Sequence, residues 1–123
     1  MSTETVHIKK DSYLFLQGDE ADCMYIIKSG ELGLYIADYL VEKMVSRVGP
    51  GELIGEMSLF DRLSRSASAK ALKDSELVVL PYEKLREDLT QMPEWVQVAM
   101  KTMTMKIRQA NNVVLNTSGK DKA

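Results

Sequence analysis

The feature that most constrains this chain is a rhythm. Between Thr5 and about Leu80, short apolar runs alternate with turn residues at spacings of roughly ten positions. Val6 and Ile8 alternate with His7 and Lys9, a period of two. Tyr13 to Leu16 stops at Gln17-Gly18-Asp19-Glu20, and Cys23 to Lys28 ends in Ser29-Gly30-Glu31. Leu32, Leu34 and Ile36 then alternate with Gly33 and Tyr35. A fifth run, Tyr39 to Val48, meets the breaker Gly49-Pro50-Gly51. Ala67 to Leu72 and Glu76 to Leu80 supply two more strands around Asp74-Ser75. So many short strands read as a β-sandwich or β-roll.

The pattern changes after residue 81. Leu85 and Leu89 lie four apart among charged residues, which predicts an amphipathic helix over Tyr82–Gln91. Pro93 suits the first turn of a second helix, expected to run to Asn116 before a polar tail, 117–123. The reading is one domain over 1–123: a roll over about 5–81, two helices over about 82–116, then the tail. A chain of 123 residues can bury a proper core without staples. In the second helix Val96, Met100, Met103, Ile107, Ala110 and Val114 follow coiled-coil spacing. One reading docks this stripe on the domain's own roll. The other, which we favour, makes it the seam of a homodimer, with methionine giving an adaptable interface.

Composition removes several classes of function. His7 is the sole histidine and Cys23 the sole cysteine, so a multi-histidine metal centre of cupin type and an internal disulfide are both excluded. A serine or cysteine hydrolase lacks a base. No catalytic residue, metal or cofactor is expected. Lys and Arg number 16 against 18 Asp and Glu, a net charge of −2, whereas duplex-gripping proteins carry a basic excess. With seven residues after Asn116, no DNA-binding module is expected. No apolar run approaches the ~18 residues of a membrane span, and the first ten residues have no apolar core of a leader. The expectation is a soluble cytoplasmic domain.

One segment, Gly49 to Ala67, carries candidate chemistry. A glycine-rich entry leads to a single possible helical turn, a loop with Arg62 and Arg65, and a strand. A helix N-terminus presents unpaired N–H groups to an anion. Gly55 lets the backbone approach a ligand closely. Arg65 offers a planar fork of donors to a phosphate, and the Glu56 carboxylate can accept from a sugar hydroxyl. A folded-back loop brings the two to one phosphorylated, sugar-like ligand. They equally fit an ordinary salt bridge around a surface loop, and spacing alone leaves both readings open.

The segment resembles the phosphate-binding cassette of the cyclic nucleotide-binding domain family. That family includes the bacterial catabolite activator protein and the regulatory subunits of cyclic AMP-dependent kinase. Gly55-Glu56-Met57-Ser58-Leu59 and Arg65-Ser66-Ala67 match its pattern, and Gly18 through Glu31 resembles its second hairpin. The resemblance implies a mainly β fold with α: an antiparallel, jelly-roll-like β-roll, a short phosphate-binding helix and two C-terminal helices. It implies that Glu56 takes the ribose 2′-hydroxyl and that Arg65 clamps the exocyclic oxygens of a cyclic phosphate. The amides of Met57, Ser58, Ser66 and Ala67, with the Ser66 hydroxyl, would complete the cradle. Arg62, in mid-loop, is expected to be exposed. Ser64 stands where a kinase-type cassette often has proline.

The family caps its base with the long C-terminal helix, and its base-contacting hydroxyl positions fall here on Ala110 and Asn111. Ala110 has no polar group, so Asn111 is the candidate; Asn112 and Arg108 are alternatives, as is a plain solvated surface. Ser66 can serve the phosphate, which favours cyclic AMP, or a guanine amino group, which would favour cyclic GMP. The expected function is a non-enzymatic cyclic nucleotide sensor that signals to an effector protein by moving its C-terminal helices. The competing readings are a degenerate, ligand-free protein-interaction domain and a cyclic dinucleotide site.

Overall fold

The computed structural model describes residues 4–121, with side chains described through residue 110, Asp38 excepted. Five strands come first: β1 (Glu4–Ile8), β2 (Tyr13–Phe15), β3 (Cys23–Ser29), β4 (Leu32–Asp38) and β5 (Val41–Val48). β6 (Leu53–Ile54), helix α1 (Met57–Asp61), β7 (Ser68–Ala71) and β8 (Ser75–Pro81) follow. Helices α2 (Tyr82–Thr90) and α3 (Glu94–Asp121) end the described chain. The strands form two four-stranded antiparallel sheets, ordered β1-β8-β3-β6 and β2-β7-β4-β5. The fold is the expected β-roll with a short helix and two C-terminal helices.

Period-two burial explains the layering. Leu32 and Ile36 of β4 are buried with Leu34 partly so, and Leu77 of β8 is fully buried. In β7 the small residues Ala69 and Ala71 are buried. One core cluster, Ile27, Leu32, Ile54, Ala69 and Leu77, brings together residues of both sheets. A second, Met24, Leu59 and Tyr82, joins β3, α1 and α2, with Leu85 and Leu89 packed on it. The amphipathic pattern of 82–91 therefore does what its spacing predicts.

Several strand and helix ends shift by one or two residues from the sequence reading, and three departures stand out. The stretch after Val48 contains β6, whose Leu53 and Ile54 pair with Ile26 and Tyr25 of β3. Two residues are too few to show a period. The fifth strand opens at Val41 rather than Tyr39, because Tyr39 takes φ 54° in a turn with Leu40. Helix α3 opens at Glu94, and its backbone continues beyond Asn116 to Asp121, through most of the expected tail. No proline follows Pro93 to break it.

The seam residues Met100, Met103, Ile107 and Ala110 are exposed and Val96 is half-buried; Val114 lies outside the described side chains. The stripe is thus not sealed against the chain's own roll. Among the described residues, no helix is long and apolar enough to cross a membrane, and no cluster of His, Cys, Asp and Glu could hold a metal.

Candidate functional site

β6 ends at Ile54, and Gly55 turns the chain with φ +82°. A Cβ at that position would lie 2.5 Å from Nη1 of Arg65. Glycine is needed here both for the turn and for the guanidinium beside it. The single helical turn α1 follows, anchored by the buried Ser58 and Leu59. It stops at Arg62, which is left-handed at φ 59° and donates its backbone N–H to the Ser58 carbonyl at 3.0 Å. The chain then doubles back into β7. The Arg62 side chain is exposed, as expected.

This fold-back creates a cavity of about 330 Å³, within the usual size range of small-molecule sites. Gly55, Glu56, Met57, Ser58, Arg65, Ser66 and Ala67 all line it. Leu34 of β4, Val45 and Val48 of β5, and Ile107 of α3 supply further lining, which is apolar. The lining thus combines cassette polar groups with apolar side chains, a mixture suited to a ligand that carries both an anionic group and a flat ring. Met57 and Ser58 open α1, where first-turn N–H groups have no intrahelical acceptor. The Ser66 hydroxyl sits 3.6 Å from the Met57 sulfur.

Arg65 is only 5% exposed. Its Nη2 donates to the Cys23 carbonyl at 2.7 Å, and Nη1 donates to the Gly55 carbonyl at 3.1 Å and to the Tyr82 hydroxyl at 3.2 Å. The guanidinium lies 4.2 Å from the centroid of the Phe15 ring, a cation–π contact. Among the described residues no carboxylate pairs with it, and its buried Nε has no acceptor. The ordinary Glu56–Arg65 salt bridge, open on sequence, is therefore not formed. A buried cation normally has an anionic partner. Here carbonyl and hydroxyl dipoles and a ring face hold the charge without neutralising it.

Tyr82, which sequence reasoning missed, completes this arrangement. It is buried, donates its hydroxyl to the Gly55 carbonyl, and accepts from Arg65. Burial pushes its phenol up, with the Arg65 charge opposing. Burial also pushes the Cys23 thiol up, so it stays protonated at neutral pH. Phe15 and the Cys23 carbonyl were missed as well. No motif marks them, since their roles depend on where other strands run.

The base-contact candidates on α3 resolve differently. The side chain of Asn111 lies outside the described residues, as does that of Asn112. Arg108 is engaged elsewhere: its fork bonds both oxygens of Asp61, and Nη2 also reaches the Ser58 hydroxyl and the Ser64 carbonyl. As a base contact it is therefore replaced by a cassette contact.

Comparison with known proteins agrees with this geometry. The family described as "Cyclic nucleotide-binding domain" matches residues 5–91. The transcriptional activator protein Anr of Pseudomonas protegens is 33% identical over 92% of this chain and 46% of its own length. The cyclic AMP receptor protein of Thermus thermophilus is 34% identical over 80% of this chain and 46% of its own. The chain thus spans about half the length of these curated relatives. Among solved structures, the cAMP-bound form of the EAL enzyme Bd1971 superposes with TM-score 0.85 at 32% identity, covering 95% of this chain and 31% of that one. Its cGMP-bound form superposes with TM-score 0.80 at 34% identity, covering 85% of this chain and 28% of that one. By sequence pattern, fold and cassette alike, this chain belongs to the cyclic nucleotide-binding domain family.

Proposed function

We propose that this chain is a cyclic nucleotide sensor module without catalytic activity, that cyclic AMP is its ligand, and that its C-terminal helices report occupancy. The observation that carries this reading is Arg65: a buried guanidinium on a cavity wall, with no carboxylate partner among the described residues. A cyclic phosphate supplies the missing anion. Glu56, which also lines the cavity, accepts from the ribose hydroxyl, and the first-turn amides of α1 share the phosphate oxygens. The apolar lining from β4, β5 and Ile107 takes the purine, with Asn111 the candidate for a polar contact to it. Cyclic AMP is favoured because a relative 34% identical is a cyclic AMP receptor protein. The EAL enzyme that superposes on this chain has both a cAMP-bound and a cGMP-bound form, so a titration must include both nucleotides. Self-association through the α3 stripe, in which Met100, Met103, Ile107 and Ala110 are exposed, gives a homodimer in which helix movement is shared.

The test is calorimetric titration with cyclic AMP, cyclic GMP and AMP, for wild type and Arg65→Ala. Removing one partner of a buried, hydrogen-bonded charge pair costs about 2–5 kcal/mol, so the variant should lose ~30-fold or more in affinity. Arg65→Lys, which keeps the charge but not the fork, guards against a folding failure and should fall between the two. A loss under threefold in both variants sinks the assignment. Binding of cyclic GMP alone moves the base identity, and no binding by wild type leaves a ligand-free interaction domain.

A further inference from the structure

Helix α3 meets the rest of the chain mainly at α1. Its polar attachment there is Arg108. The guanidinium engages both carboxylate oxygens of Asp61, the last residue of α1, with Nη2–Oδ1 at 3.2 Å. The same Nη2 reaches the Ser58 hydroxyl at 3.3 Å and the Ser64 carbonyl at 3.2 Å. One side chain therefore grips the cassette helix at both ends and the loop residue just before Arg65. The pair is largely withdrawn from water, with the Arg108 side chain 17% exposed and that of Asp61 8%. A bidentate, desolvated pair is geometrically specific in a way that a surface ion pair is not.

The residue before Arg108 is Ile107, which lines the cavity. We propose that Arg108 and Asp61 form a latch that seats α3 on the cassette so that Ile107 closes the ligand cavity. They are positioning residues, since they act through Ile107 and α1 rather than on the ligand. This inference rests on the sensor reading above and adds its means of coupling. α1 is five residues long, so its start, at the cavity, cannot shift without its end, at Asp61. Ligand that orders the cassette thereby strengthens the seat of α3, and a seated α3 strengthens ligand binding by the same factor. Breaking the latch lowers the population of the capped state and raises the apparent Kd by that fraction.

The experiment compares wild type, Asp61→Ala, Arg108→Ala and the double variant, with Asp61→Asn as the shape-preserving control. It uses cyclic AMP titration, ligand dissociation rates and backbone hydrogen exchange. Each single variant should bind about 10-fold more weakly, a coupling of ordinary size, mainly through faster dissociation. The double variant should be no worse than either single one. Exchange should rise in α3 over 94–110 and stay unchanged in β7 and β8. Affinity within twofold of wild type in both single variants, or additive losses in the double, overturns the latch. If wild type binds no nucleotide, the sensor reading fails separately. The exchange arm, run without ligand, then decides alone, and unchanged α3 protection in the variants overturns the latch.

Discussion

Within the roll, Leu32, Ala69 and Leu77 are fully buried. On α3, Met103 is 61% exposed and Ile107 48%, and the helix is held to α1 by the fork of Arg108. The first region is stabilised by apolar burial spread over many contacts, so no small signal can rearrange it. The second is stabilised by a few directional polar contacts, which have discrete made and broken states. The proposed sensor function calls on both: a roll and cassette of constant shape, and a helical flank whose position a ligand would bias. Arg65 and Arg108 express the same contrast. Arg65 is buried with no carboxylate partner among the described residues, and the proposed function assigns it an external anion, whereas Arg108 already has an internal one in Asp61.

The strongest way to break this contrast is to substitute one residue on each side. Leu77→Ala should destabilise the chain by about 2–5 kcal/mol in urea unfolding, because the site cannot collapse fully around the missing methyls. Met103→Glu should change monomer stability by no more than ~0.5 kcal/mol while shifting the sedimentation profile from dimer to monomer. Equal destabilisation by the two would remove the distinction between scaffold and reporter.

Tyr82→Phe probes the junction between the regions. The hydroxyl sits between Gly55 and Arg65, so its loss should lower stability by about 1–3 kcal/mol and weaken cyclic AMP binding. Unchanged affinity would show that Arg65 needs no support from α2.

The smallest expected effect is alkaline. Burial raises Cys23 above its ordinary value of 9.0 and Tyr82 above 10.0. Above those values the unfolded chain releases protons that the folded one retains, so folding stability falls as pH rises. The stability is fully present below about pH 9, and Cys23→Ala should remove the earlier part of the decline in thermal unfolding from pH 8 to 10.

Much of this was legible in the linear chain. Strand periodicity, the α2 stripe and the α3 heptads depend on neighbours within a few residues, and the cassette brackets a loop whose two ends lie nine positions apart. Local spacing carries such information because backbone geometry repeats at 2.0 and 3.6 residues. β6 escaped notice because two residues cannot display a period.

What tertiary structure alone decided is how the charges are held. Arg65 meets Tyr82 across 17 positions and the Cys23 carbonyl across 42, and Arg108 meets Asp61 across 47. A backbone carbonyl has no sequence signature, and an aspartate or a tyrosine carries no mark of the arginine that will reach it. The chain sequence determined which groups could bind an anion. Only the packing of α1, α2, α3 and β3 determined that, among the described residues, Arg65 has no carboxylate partner and Arg108 has one.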